Sequence, residues 1–306
     1  MMHRRVVLPA ACGLAALTIH AAAADATPPA GGYAAQIETW RRAREERLRS
    51  DTGWLTVAGL HWLEPGTATF GSDPGSAIVL PASAPARAGS FELREGVVTA
   101  RLEPGVAAEV NGRPAGSATL RSDAQGDPDV LSLGPLSMTI IERNGRPAVR
   151  LRDRESRYRR EFTGLRWYPV KPSHRIEARW IPHQPPRRIT VPSIIGYVEE
   201  LPCPGEAVFT LEGREVRLQP VLEQGSDELF FIFKDRTSGR ETYGAGRFLY
   251  APMPEEGKVI LDFNKAYNPP CAFTPYATCP LPPQENRLDI GIEAGELDYG
   301  HHPQGG

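Results

Sequence analysis

Apolar and polar positions change their rhythm once along this chain. Between Tyr33 and Asp51, Ile37, Trp40, Ala43 and Leu48 recur at near-helical spacing among Arg and Glu, which predicts one amphipathic helix of about four turns, ended by Thr52-Gly53. Its apolar face should rest on the segments C-terminal to it, and its charged face should be solvated. From Gly53 onward the pattern is strand and turn. Ile78 to Leu80, Phe91 to Leu93, Val97 to Leu102, Glu109-Val110, Val130 to Leu133, Met138 to Ile141 and Ala148 to Leu151 are short β-type runs. Glu95-Gly96, Asn111-Gly112 and Asn144-Gly145 separate them, and Asn-Gly between apolar runs is a strong hairpin signal. Turns about every 8 to 12 residues predict a β-sandwich over residues 53–155.

The charged stretch Arg150 to Glu161 reads as a join. Beyond it come Phe162 to Tyr168, Arg175 to Ile181, Ile194 to Glu199, Ala207 to Leu211, Val216 to Leu222, Leu229 to Phe233, Phe248 to Tyr250, Val259 to Phe263 and Leu288 to Ile292. None combines helical length with helical period. A second antiparallel β domain, a sandwich or partly closed barrel, is expected over residues 156–298, with a tail at 299–306. The predicted fold class is all-β with an N-terminal helix.

Composition adds an address. The chain has 306 residues, 41% hydrophobic and 24% charged, with a net charge of −2, which excludes disorder, collagen and an electrostatic nucleic-acid binder. Residues 1–24 carry Arg4 and Arg5, an uncharged apolar run from Val6 to Ile19, and Ala21 to Ala24, the pattern of a secretory signal peptide. A periplasmic or secreted protein is expected. A Pro/Ala/Gly linker leads from Asp25 to the helix. No later segment approaches the roughly 18 apolar residues of a membrane span, so none is expected after cleavage.

The densest candidate chemistry lies between Asp262 and Asn286. Six prolines fall between Pro269 and Pro283, and proline fixes φ and removes donors, so a stiff irregular loop is expected. Long loops in compact domains are usually functional, and the aromatics here argue against disorder. Alternation in the preceding strand should point Asp262 and Asn264 the same way. Asp262 and Glu285, helped by Lys265, would form a catalytic acid/base set if the loop folds back. Asn264, Tyr267, Asn268, Tyr276 and Asn286 are candidate ligand contacts, with Phe273 beside them and with Arg247 and His61 from elsewhere in the chain. The plainer reading has Asp262, Asn264 and Asn268 capping turns.

Three cysteines lie beyond the leader, Cys203, Cys271 and Cys279. In an oxidising compartment a Cys271–Cys279 disulfide would pin the loop. It is preferred to a metal site at the same thiols, because their spacing exceeds that of a structural zinc knuckle, and no cofactor is expected. His61, between Leu60 and Trp62, reads first as a packing histidine; His174 and His183 read as surface residues, and His301-His302 as a solvated terminus. Gly-x-Ser-x-Gly, Ser-x-x-Lys, His-Glu-x-x-His, phosphate-loop and dinucleotide motifs are all absent.

Two resemblances emerge from these residues. Gly71-Ser72-Asp73-Pro74, Ile78-Val79-Leu80-Pro81, Val110-Asn111-Gly112 and Leu131-Ser132-Leu133-Gly134 before Met138 to Ile141 keep the order of landmarks in forkhead-associated domains, which this stretch resembles. The resemblance implies a sandwich fold over about 90 residues. It does not imply phosphothreonine reading, since Ser72 stands where that family places an Arg, and Ser83 to Arg87 does not reproduce its second motif. The loop, with Gly53 to Leu63 and Tyr243 to Phe248, resembles the bacterial family called domain of unknown function 1684, from about Trp40 to Glu296. That resemblance implies no activity. The chain is therefore expected to bind a small polar or carbohydrate ligand through the loop; the alternatives are a secreted hydrolase using Asp262 and Glu285, and an envelope scaffold without pocket chemistry.

Overall fold

The computed structural model describes residues 32–223 and 225–300. The expected signal peptide, most of the expected linker and His301-His302 lie outside these residues. Helix α1 (Tyr33–Arg49) fills the range its periodicity predicts and buries Ile37 and Leu48. Its charged face is not simply solvated: Arg41 and Arg44 are buried too, each bonded to the second half of the chain. Long arginine stems cover apolar surface as a leucine would while their heads find partners, which a reading by residue class misses.

The first β unit holds eleven strands: β1 (Val57–Trp62), β2 (Gly66–Gly71), β3 (Ile78–Val79), β4 (Gly89–Arg94), β5 (Val97–Leu102), β6 (Glu109–Val110), β7 (Arg113–Pro114), β8 (Ser117–Leu120), β9 (Val130–Leu133), β10 (Leu136–Arg143) and β11 (Arg146–Asp153). They form two sheets in the orders β1-β11-β10-β9-β6-β7 and β3-β2-β4-β5-β8, antiparallel except for β2 with β3. The inward sides of both sheets, with Phe70, Phe91, Leu131, Met138 and Val149 at the centre, make one apolar core. Asn111 and Asn144 take positive φ in the predicted Asn-Gly turns. Strands β1, β2, β7 and β8 were not legible: β2 buries only its last two residues, β7 none and β8 only Leu120, so none of these three alternates cleanly. The expected join is shared between β11, which takes up Arg150 to Asp153, and a short helix α2 (Arg157–Arg160) capped by Ser156.

The second unit contains β12 (Arg175–Pro192), β13 (Val198–Leu211), β14 (Arg214–Leu218), β15 (Glu228–Phe233), β16 (Arg247–Pro252) and β17 (Lys258–Asp262). One sheet runs β14-β13-β12-β17 and β15 pairs with β16, giving a half-barrel around Phe231, Phe233, Leu261 and Phe263. Three expectations change. Prolines do not end β12 at Ile181; its register with β13 slips between Pro182 and Arg187 instead, and pairing resumes. Residues 193–197 form the turn between those strands, not a strand of their own. Phe162 to Tyr168 and Leu288 to Ile292 make isolated backbone bonds without a ladder, so their apolar alternation records burial against the core rather than pairing.

A third apolar cluster joins the pieces. Leu48 and Leu55 meet Phe162, Val191, Phe230, Phe248 and Phe273 between the two units. Gly53 makes the sharp entry from α1 to β1, because a Cβ there would run into the carbonyls of Arg47 and Leu48. Among the described residues no helix is long and apolar enough to cross a membrane.

Candidate functional site

The proline-rich loop after β17 folds inward and packs. Tyr267 and Phe248 exchange backbone bonds at 2.9 Å, Ile194 donates to the Cys279 carbonyl at 2.9 Å, and Leu281 donates to that of Pro192 at 2.6 Å. At its tip the Thr274 hydroxyl donates to the Val57 carbonyl at 3.0 Å, tying the loop to the first unit. Prolines remove donors that a ladder would have used, so these few bonds satisfy a backbone that forms no strand.

One side of this loop walls a cleft of about 810 Å³. Tyr267 and Phe273 face it from the loop, Phe230 and Tyr250 from β15 and β16, and Trp54 from the turn before β1. Phe230 stacks on Tyr250 at 4.6 Å and 11°, and Tyr250 lies nearly parallel to Tyr267 at 6.5 Å and 15°, so three rings make a stair along one wall. The Tyr250 hydroxyl donates to Glu223 at 2.6 Å. Burial holds the phenols of Tyr250 and Tyr267 above their ordinary range, so both remain protonated donors at neutral pH.

Other lining residues carry charge. Alternation along β11 sends Val149 and Leu151 into the first unit's core and Arg150 and Arg152 to the other face. Arg152 donates to the Gly53 carbonyl at 2.8 Å, and Arg143 donates to Asp123 at 2.8 Å. Arg150 is only 8% exposed, yet its Nε and Nη2 have no hydrogen-bond partner. Its guanidinium carbon lies 5.1 Å from the centre of the Trp54 ring. Burial first, then the charges of Arg143 and Arg152, push it down to about 10, which leaves it cationic at neutral pH.

The sequence-predicted site residues fall in several places. Asp262 and Asn264 do point together, but into a buried network with α1: Tyr33 donates to Asp262 at 2.6 Å, and Asn264 donates to the Tyr33 hydroxyl and the Lys171 carbonyl, both at 2.9 Å. Lys265 approaches Asp262 at 4.0 Å. Glu285 is exposed on a turn (Gln284–Asn286), and no hydrogen bond or ion pair joins it to Asp262 among the described residues. Asn286 is spent on the backbone of Gln219 and Ile232. Arg247 is fully buried, paired with Asp235 at 2.6 Å and bonded to the carbonyls of Ile292 and Ala294. Tyr276 and His61 lie outside the cleft wall, and burial lowers the His61 imidazole. Only Tyr267 and Asn268 of the expected contacts, with Phe273, line the cleft. The Asn268 amide donates to the Leu297 carbonyl at 2.8 Å, and its Oδ1 has no partner.

The expected Cys271–Cys279 disulfide is not present; both are buried free thiols, as is Cys203. They are neighbours nonetheless, with the Cys271 amide donating to Cys279 Sγ at 3.3 Å. A bond from Cys279 lowers the Cys271 thiol, and burial raises the Cys279 thiol. Burial also pushes Cys203 up to about 11. Among the described residues no group of three or more His, Cys, Asp or Glu is placed to hold a metal ion. Trp54, Arg143, Arg150, Phe230 and Tyr250 were missed. For Arg150 a signal existed, a cation inside the apolar run from Ala148 to Leu151.

Residues 160–297 match the family described as protein of unknown function DUF1684, so the Gly53 to Leu63 landmark lies outside the match. No curated protein matches the chain. The solution structure of an uncharacterized protein of Haloarcula marismortui is similar at 30% identity over 47% of this chain and 81% of that one, with a TM-score of 0.40. Forkhead-associated (FHA) domains are also similar: that of FhaA, solved with the intracellular domain of Rv3910, at 17% identity over 30% of this chain and 97% of that one, TM-score 0.22; and the second such domain of the Mycobacterium tuberculosis ABC transporter Rv1747, at 24% identity over 29% and 77%, TM-score 0.22. The match to the DUF1684 family thus runs through residues 160–297, the half-barrel and its proline-rich loop.

Proposed function

We propose that this chain is an exported binding protein that holds a small polar or carbohydrate ligand in the cleft between its two β units. The observation that carries this reading is the stair of Phe230, Tyr250 and Tyr267 in a cleft of about 810 Å³. That volume suits a small molecule, and flat rings accept the apolar face of a sugar or another ring while polar groups at their edges orient it. The free Oδ1 of Asn268 is one such group. The hydrolase alternative asks for Asp262 and Glu285 at one reacting centre, and neither lines the cleft. Export is supported by the signal-like residues 1–24. In an oxidising compartment the adjacent thiols of Cys271 and Cys279 would close into a disulfide behind the cleft wall.

The test is titration of the mature protein with a panel of mono- and disaccharides, nucleosides and aromatic compounds, monitored by fluorescence of Trp54 in the cleft. At least one compound should bind at a one-to-one ratio, and Leu201→Trp, which adds an indole to the cleft wall, should weaken that binding. Binding that survives Leu201→Trp unchanged, or no binding across the panel, would remove this reading.

A further inference from the structure

We infer that the cleft selects an organic anion, one whose oxyanion head meets Arg150 and whose apolar or ring-shaped body lies on the aromatic stair. This inference rests on the cleft being a ligand site and names the class of ligand it takes. A buried cation with unfilled donors is expensive, since the desolvation of a charged group is recovered only through partners of good geometry. Arg150 has Nε and Nη2 unfilled. The protein offers little to compensate it. Arg143 and Arg152 stand nearby, and the neighbouring carboxylate, Asp123, is already used: Oδ2 accepts from Arg143 at 2.8 Å and Oδ1 from the Glu142 amide at 2.8 Å. Cys279 is also close, but burial keeps its thiol neutral.

Arg44 and Arg47 reach the cleft beside Tyr267 as well, but Arg44 is paired with Glu296 and Arg47 is exposed, whereas Arg150 is buried with donors unfilled. Arg150 and Arg143 line the cleft beside Trp54, with the rings of Phe230, Tyr250 and Tyr267 elsewhere on its wall. Acidic groups do reach the wall: Glu223 is engaged by Tyr250, Glu199 is exposed, and the Glu142 side chain sits next to Arg143 in sequence. None of them forms an ion pair with Arg150 among the described residues. A guanidinium fork recognises carboxylate, phosphate and sulfonate through the same pair of N–H donors, so the head is defined by charge and oxygen geometry.

Two fluorescent probes that differ only in an oxyanion provide the test: 8-anilinonaphthalene-1-sulfonate and its neutral parent, N-phenyl-1-naphthylamine. Each is titrated into the mature chain, into Arg150→Gln and into Arg150→Lys. The sulfonate should bind wild type one-to-one and about tenfold or more tighter than the parent, the scale of one charge-assisted hydrogen bond. In Arg150→Gln that ratio should fall to within about twofold while the parent's affinity holds, with Arg150→Lys in between because it keeps charge without the fork. Displacement of the sulfonate by decanoate and by decyl phosphate then tells which natural head the site prefers. Equal binding of the two probes to wild type would overturn the anion inference and leave the cleft reading standing; so would a sulfonate preference that Arg150→Gln retains. If neither probe binds and Leu201→Trp changes nothing, both readings fall together.

Discussion

Arg44 Nε donates to Glu296 Oε2 at 2.5 Å, across 252 residues of chain, and its Nη2 reaches the Asn268 carbonyl at 2.9 Å. The same guanidinium lies 4.2 Å from the centre of the Tyr267 ring. This contact fastens α1 to the start of the proline-rich loop and thereby sets the position of one step of the aromatic stair. Both partners are buried, Glu296 completely. Removing the carboxylate should therefore do more damage than a surface pair would. Glu296→Ala leaves a buried guanidinium unpaired and is expected to lower stability by about 3–5 kcal/mol. Glu296→Gln, which keeps an acceptor, should cost clearly less. Urea melts of the two variants against wild type measure the difference.

Glu296 also predicts a pH dependence. Burial raises its carboxyl above the ordinary 4.5, against the lowering by Arg44. The folded state therefore binds this proton more tightly than the unfolded state does. Its contribution to stability is fully present below about pH 4.5 and is lost as pH rises through the folded value. Thermal melts between pH 4 and pH 7 should show wild type losing ground relative to Glu296→Gln as pH increases. A difference that stays flat over that range would contradict the assignment.

Asp262 should behave as a structural residue. It accepts from Tyr33 at 2.6 Å and from Asn264 at 3.3 Å, and burial with this contact raises the Tyr33 phenol. Asp262→Ala strands the Tyr33 hydroxyl, at a cost of about 1–3 kcal/mol where no water replaces the acceptor, while Asn264 keeps the Tyr33 hydroxyl and the Lys171 carbonyl as acceptors. Binding in the cleft should be unaltered in the variant at a temperature where it is folded. A loss of affinity greater than its loss of stability would return Asp262 to the site.

The thiol pair gives a further check. If the chain is exported as proposed, protein recovered without reductant should have Cys271 and Cys279 joined, with a mass about 2 Da below the reduced chain. Alkylation after denaturation should then label Cys203 alone. Labelling of all three would show that the pair stays reduced.

The β character of the chain was legible because apolar alternation and Asn-Gly turns are local signals. So was the inward fold of the loop, whose prolines and aromatics suit neither a strand nor a disordered tail. Helix α1 was placed almost to the residue, but the fate of Arg41 and Arg44 was hidden, since what they bind lies more than 100 residues away. The cleft was hidden for the same reason. Its walls come from Trp54, Arg150, Phe230, Tyr250 and Tyr267, which are scattered from one end of the folded chain to the other and share no local pattern. Asp262 and Asn264 drew attention as a polar pair on one strand face, and alternation alone does not say whether that face meets a ligand or a tyrosine from another element.

Because the cationic wall and the ringed wall are contributed by different β units, neither unit owns the recess. Residues 160–297 made by themselves would retain the stair of phenyl and phenol groups but lay it open to water, without the indole and guanidinium that complete the enclosure. A gene encoding only that half would specify a sticky surface; fusion to the preceding sandwich turns the same surface into a walled chamber.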